Sequence, residues 1–174
     1  MKIKKLIKNI CLTALMSSLI FIITFFLQIP YFGGVGYFNL SDGLIIFSTI
    51  YFGPFVGIIS AIIGTALADF ASGFLIYIPF TIIGKGLEAI LAFIIFYYLK
   101  NRKFLKYLSF ILPIIPMVLT YFVSYVIYYD LNYALLSSSF DLIQGLVGSL
   151  ISVVLFNLFK LNYHLNYTKN IKNN

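Results

Sequence analysis

The sequence predicts an all-α integral membrane protein, a six-transmembrane-helix bundle with both termini in the cytoplasm and a short second helix. Three observations carry this expectation. Hydrophobic residues make up 61% of the 174 and charged residues only 10%, with a mean hydropathy of +1.02; a soluble domain carries about 25% charged residues. Apolar runs long enough to cross the hydrocarbon layer, about 20 residues each, recur along the chain. The basic residues, with one exception, fall in three segments: Lys2, Lys4, Lys5 and Lys8; Lys100, Arg102, Lys103 and Lys106; and Lys160, Lys169 and Lys172. Lys and Arg stay on the cytoplasmic side of spanning helices, so all three segments belong on one side. The exception is Lys85, inside an apolar stretch.

The whole chain reads as a single transmembrane domain. Its first span runs from about Ile10 to Leu27, behind a cytoplasmic basic N-terminus of residues 1–9. Basic residues before an apolar run also open a signal peptide, but this run is long and no small-residue cleavage pattern follows it. A retained helix is expected. The stretch from Leu44 to Phe70 is long enough for one helix or two, and charge parity decides. One helix makes five crossings and puts Lys100–Lys106 outside; two make six and keep every basic segment inside. Gly53-Pro54 is the natural break, because proline removes a backbone donor and clashes with the preceding turn. The second helix, about Ser41 to Phe52, is then short and must tilt, thin the bilayer or shelter behind its neighbours. Later spans run from about Tyr77 to Leu99, Leu108 to Tyr128 and Asp141 to Phe159, before a cytoplasmic tail at about 161–174. The connections Ile29 to Leu40, Ala71 to Ile76 and Tyr129 to Ser139 lie outside. The first holds Pro30, Gly33, Gly34 and Gly36, so it can turn sharply and approach a ligand closely.

Several function classes are excluded. The net charge of +7 flanks apolar spans and forms no soluble basic face, so it anchors the chain at the membrane and does not point to nucleic acid. The single cysteine, Cys11, allows no internal disulfide, and the single histidine, His164, lies in the polar tail. No nucleophile–base pair, metal-ligand cluster or phosphate loop is present, so neither a cofactor nor a metal is expected and the chain does not hydrolyse ATP itself.

The residues that carry chemistry are the polar ones stranded among apolar neighbours. Lys85 and Glu88 share a face of the fourth helix and are able to pair. Asp69 sits near the outer end of the third helix, and Asn39 and Asp42 at the start of the second. A charge inside the membrane costs at least a few kcal/mol, so its default reading is a functional site facing the bundle interior. The bland alternative is a Lys85–Glu88–Asp69 network that only locks helices together. Gly84 and Gly86 strip side chains from around Lys85 and leave room for a bound group. Among the aromatic residues, Tyr31, Tyr37, Phe38, Tyr77 and Tyr133 lie where they could stack on a planar ligand. Gly57, Ala61, Gly64 and Ala68 on the third helix, and Gly145, Gly148 and Ser152 on the sixth, form small-residue faces for close helix packing. Ala14 and Ser18 make a similar pair on the first helix, with either an intrachain or an intermolecular partner.

Read together, the segments Gly36-Tyr37-Phe38-Asn39-Leu40-Ser41-Asp42-Gly43, Tyr51-Phe52-Gly53-Pro54-Phe55-Val56-Gly57, Gly64-Thr65-Ala66-Leu67-Ala68-Asp69, Pro79-Phe80-Thr81 and Lys85-Gly86-Leu87-Glu88 resemble substrate-binding S components of energy-coupling factor (ECF) vitamin transporters. The resemblance is to the branch with riboflavin-, hydroxymethylpyrimidine- and pyridoxine-type members, and it spans about Thr13 to Phe96. It implies a bacterial plasma-membrane subunit that captures a small water-soluble vitamin or precursor from outside, in a pocket under the external loops. It also implies partners: a transmembrane coupling subunit, and two ATPase subunits whose hydrolysis topples the S component and releases substrate inside. Substrate-binding residues are then expected among Tyr37, Asn39, Asp42, Asp69, Tyr77, Lys85 and Glu88. The first-helix Ala-xxx-Ala motif of the family, which meets the coupling subunit, reads here as Ala14 to Ser18 with serine in the second place. A hydroxymethylpyrimidine-type thiamine precursor or a pyridoxine-like compound is favoured, with riboflavin possible. The rival readings are a membrane-embedded enzyme or a structural subunit built on the Asp69/Lys85/Glu88 cluster, and a stand-alone channel or carrier.

Overall fold

A computed structural model describes residues 2–31 and 36–172, with side chains described over 3–30 and 37–160. Helix α1 (Lys2–Phe26) leads into a short hairpin of β1 (Ile29–Tyr31) and β2 (Gly36–Phe38). There follow α2 (Ser41–Phe52), α3 (Pro54–Ser72), a 3-10 turn at Leu75–Tyr77, α4 (Ile78–Leu99), and a second 3-10 turn at Leu105–Tyr107. The chain closes with α5 (Leu108–Ile111), α6 (Ile114–Tyr128) and the long α7 (Leu131–Lys172). Five stretches are long and apolar enough to cross a membrane, namely Ile3–Phe26, Pro54–Ser72, Leu75–Leu99, Leu105–Tyr128 and Leu131–Lys160, while Ser41–Phe52 is the short sixth helix. The fourth of these stretches joins α5 and α6 across Leu112 and Pro113, where proline interrupts the helix.

The expected break falls where proline chemistry puts it. Helix α2 ends at Phe52, Gly53 takes φ 101°, a backbone that only glycine adopts without strain, and Pro54 starts α3 at a position where no intrahelical N–H is needed. Helix α7 runs on to Lys172, past the expected end of the last span at Phe159, and two further boundaries differ from expectation. The basic segment at residues 2–9 is already helical, and the expected connection Tyr129 to Ser139 shrinks to Tyr129 and Asp130. Asp130 explains the second: its Oδ1 accepts the Tyr133 N–H at 2.7 Å and its carbonyl accepts the Ala134 N–H at 3.0 Å, a side-chain cap that starts α7 at Leu131. An apolar-run criterion misses this turn because Asn132, Ser137, Ser138 and Ser139 dilute it. In the hairpin, Ile29 pairs with Phe38, Pro30 with Tyr37 and Tyr31 with Gly36. Gly33 and Gly34, and the side chain of Tyr31, lie outside the described residues.

Small residues pack the bundle. Helix α3 lies against α1, α2 and α4, and α7 against α2 and α6. A Cβ on Gly57 would meet Thr49 Cα at 2.3 Å, and one on Gly64 would meet the Ser17 carbonyl at 2.7 Å, so these two glycines set the α2–α3 and α1–α3 crossings. Gly43 and Gly148 face each other where α2 crosses α7: a Cβ on Gly148 would lie 2.6 Å from Asp42 Cβ and 3.0 Å from the Gly43 nitrogen. The small faces are therefore intrachain. Gly84 and Gly86 do not clear space for a ligand, as expected above; they face Thr120 and Met117 of α6 and Ile62 of α3, at 3.4 to 3.8 Å from a notional Cβ. Buried hydroxyls such as Thr49 and Thr65 bond to their own helix, to the carbonyls of Ile45 (2.8 Å) and Ala61 (2.7 Å), which satisfies them without a site.

Gly148→Val should wedge α2 from α7 and cost about 1–3 kcal/mol or more, read as a lower melting temperature in detergent. Gly86→Ala should be neutral or stabilising by up to about 1 kcal/mol, because its Cβ makes only ordinary contact. Equal effects of the two would contradict the α2–α7 crossing.

Candidate functional site

The antiparallel run of helices gathers the ends of α3 and α6, the starts of α2, α4 and α7, and the hairpin at one end of the bundle. The three basic segments lie at the other. At the first end a pocket is lined by Tyr37 and Asn39, by Asp69, Phe74, Tyr77 and Thr81, and by Tyr121, Tyr125, Asp141 and Gln144. Its cavity is about 40 Å³, room for a few water molecules. A ring-sized ligand needs side chains to move aside.

Two polar layers make the wall and the floor. In the wall, Asp69 accepts a hydrogen bond from the Tyr37 hydroxyl on Oδ1 and one from Thr81 Oγ1 at 2.5 Å on Oδ2. Thr81 in turn accepts from the Tyr121 hydroxyl at 3.1 Å. Asp69, near the end of α3, thereby ties the hairpin to α4 and α6. In the floor, Lys85 Nζ donates to Asp42 Oδ1 in a close ion pair, and Glu88 Oε2 stands 3.5 Å from the same ammonium. Gln144 Nε2 donates to the other Asp42 oxygen at 3.0 Å, while Gln144 Oε1 accepts the Asn39 N–H at 2.9 Å. Asn39 Oδ1 accepts the Ser41 N–H and hydroxyl at 3.0 and 2.5 Å, an Asx turn that opens α2. The layers meet at Tyr121, whose ring centroid lies 5.7 Å from Lys85 Nζ.

Lys85, Asp42 and Glu88 are all essentially inaccessible, at 1%, 0% and 0% exposure. Their register follows from the sequence: Lys85 and Glu88 share a face of α4, and Asp42 lies in the first turn of α2, where a carboxylate suits the helix dipole. The Gly43–Gly148 crossing brings α7, and with it Gln144, against this turn.

The residues expected to bind substrate divide between the two layers. Tyr37, Asn39, Asp69 and Tyr77 line the pocket; Asp42, Lys85 and Glu88 form the floor beneath it without reaching its surface. The expected Lys85–Glu88 pair forms, but the alternative Lys85–Glu88–Asp69 network does not: Lys85 pairs with Asp42 and Glu88, and Asp69 bonds to Tyr37 and Thr81. The enzyme reading loses its three-residue cluster with it, and no group of three His, Cys, Asp or Glu able to hold a metal occurs among the described residues. Tyr133 packs edge-on against Tyr125 and at a tilt against Tyr129, and neither it nor Phe38 is part of the lining. Phe74, Thr81, Tyr121, Tyr125, Asp141 and Gln144 went unpredicted. Thr81 stood in the Pro79-Phe80-Thr81 segment of the resemblance without being singled out, and the signal for Tyr121 with Tyr125 and for Asp141 with Gln144 is helical spacing, which is common in any helix. A second feature lies on the flank of the bundle. Ala14 and Ser18 are exposed on α1 and share an apolar groove with Phe21, Phe55, Ile59 and Ile63 of α1 and α3.

A profile described as ECF-type riboflavin transporter, S component, matches residues 4–161. The chain belongs to this family. A solved structure reported as the structure and mechanism of the S component of a bacterial ECF transporter superposes with a TM-score of 0.66, at 21% identity, over 91% of this chain and 97% of that one, which supports the shared fold. No curated protein sequence matches. As an S component, the chain is the substrate-binding membrane subunit of an ECF transporter, a multi-pass plasma-membrane protein of a class that works with a coupling subunit and ATPases.

Lys85→Met leaves two buried carboxylates without their cation and should destabilise this S component by about 3–5 kcal/mol. The double variant Lys85→Met/Asp42→Asn should recover a substantial part of that loss. Thermal unfolding of the single and double variants in detergent measures the coupling; additive effects would show that the pair does not act as a unit.

Proposed function

We propose that this S component captures a small, water-soluble nitrogen heteroaromatic, of the hydroxymethylpyrimidine or pyridoxine type, from the face opposite its basic segments. Both termini then lie in the cytoplasm, where positive charge is retained, and the pocket opens outward. The observation that carries this reading is the pocket's make-up: aromatic rings from the hairpin, from the segment just before α4 and from α6 surround carboxylate and amide groups on α3, on α7 and in the turn that opens α2. Rings stack on a flat ligand and the polar groups read its edge. Tyr37, Asn39, Asp69 and Tyr77 contact the ligand; Asp42, Lys85 and Glu88 hold Gln144 and Asn39 in place from below.

With a cavity of about 40 Å³, any ring requires the lining side chains to move aside, and a single ring asks for a smaller rearrangement than a three-ring flavin with its side chain. Riboflavin is kept as the second reading because the family description names it. Energy comes from a coupling subunit and two ATPase subunits, and the exposed Ala14–Ser18 face on α1 is where the coupling subunit docks. Helix backbones approach closely in lipid only across small residues, and this face is small, apolar and uncovered.

Two measurements test the proposal. Melting temperature in detergent against a panel of water-soluble vitamins and precursors should rise with one single-ring compound, by mass action on the folded state. A rise with riboflavin alone would move the substrate to the second reading. Ala14→Leu/Ser18→Leu should leave that rise intact and abolish co-purification with the coupling subunit; an intact complex would refute the docking face.

A further inference from the structure

The charge around the pocket is lopsided. Every lining residue comes from residues 9–84 or 107–159, and those stretches contain no lysine or arginine. The wall does hold two carboxylates, Asp69 on α3 and Asp141 on α7, at 2% and 4% exposure. Asp69 accepts on both oxygens from hydroxyl donors, the pattern of an ionised carboxylate. Among the described residues Lys85 is the one buried cation, and its charge is committed to Asp42 and Glu88 below, with the Tyr121 ring beside it. Asn39 adds a separate cue. It is 6% exposed, its Oδ1 is engaged by Ser41, and nothing among the described residues bonds its Nδ2, which leaves an amide donor at the wall.

We infer that the pocket selects by charge: it takes the uncharged or cationic ring compound and rejects the phosphate ester or any other anionic form of it, with Asp69 and Asp141 setting that choice. This rests on the ligand-capture reading above. The donors a ligand needs are N–H or O–H groups aimed at the carboxylates, together with one ring acceptor for Asn39. A phosphate brings only acceptors and negative charge into a low-dielectric space that already holds two carboxylates. Like charges brought together there cost several-fold to many-fold in affinity, and no cation is at hand to offset them. The consequence for transport is that only the dephosphorylated form enters by this route, so any phosphorylation of the substrate follows uptake.

The experiment is titration calorimetry on the full chain in lipid nanodiscs with matched pairs: pyridoxine and its 5′-phosphate, hydroxymethylpyrimidine and its phosphate, riboflavin and its 5′-phosphate. The parent compound of one pair should bind, and its ester at least about 100-fold more weakly. Asp141→Asn and Asp69→Asn, each checked for folding by its ligand-free melting temperature, should shrink that ratio by about tenfold or more even where they weaken the parent compound. Equal binding of parent and ester by the natural sequence overturns the charge selection while leaving ligand capture standing. A ratio unchanged in both folded variants removes the two carboxylates from the choice. Binding of none of the six compounds overturns the capture reading, and the charge selection with it.

Discussion

The ion pair between Lys85 and Asp42, closed in by Glu88 and Gln144, is the constraint on which the rest of the bundle depends. A lysine at 1% exposure in an apolar bundle is tolerable only if a carboxylate reaches it. Asp42 does so from the first turn of α2, and it can lie there only because Gly43 and Gly148 let α2 and α7 touch backbone to backbone. The short helix that hydropathy alone leaves weakly anchored is thus pinned by charge at one end and by the Gly53-Pro54 turn at the other. Thinning or tilting is not its only recourse: α2 is also among the most buried helices of the bundle, with Ser41 to Ile50 almost entirely enclosed.

The same pair organises the pocket without entering it. Asp42 orients Gln144, Gln144 holds the Asn39 backbone, and Asn39 shapes the turn that begins α2. A separate chain runs from Tyr121 through Thr81 and Asp69 to Tyr37. Tyr37 belongs to the hairpin, so the wall chain links a surface element to three helices. A ligand that competes for Asp69 would loosen the hairpin's hold, which gives substrate binding a direct mechanical route to the mouth of the pocket.

Two polar surfaces of opposite purpose therefore share one small protein. The pocket end concentrates carboxylates and aromatic hydroxyls, and the other end concentrates lysine and arginine. Between them, the flank formed by α1 and α3 is an apolar groove in which Ala14, Ser17 and Ser18 lie among larger Ile, Leu and Phe side chains. On the function proposed above, capture, orientation in the membrane and docking are separated in space, so a change at one face need not disturb the others.

Much of this was legible in the chain itself. Gly53-Pro54 determined where one apolar stretch became two helices, because the missing proline N–H is a local cost that no packing removes; the three basic segments carried the expectation of six crossings, because charge transfer into lipid is a local cost too. The resemblance carried by residues 36–88 pointed to the family, and Tyr37, Asn39, Asp69 and Tyr77, expected to meet substrate, line the pocket. The α7 start was missed because a cap at Asp130 outweighed a weak apolar signal. Only the tertiary structure decided which acid the lysine meets. Lys85 and Asp42 are 43 residues apart, and Gln144 is 102 from Asp42. Spacing along one helix nominates Glu88 as the partner, but a cross-helix neighbour is set by where backbones can touch, and that was settled by two glycines on different helices.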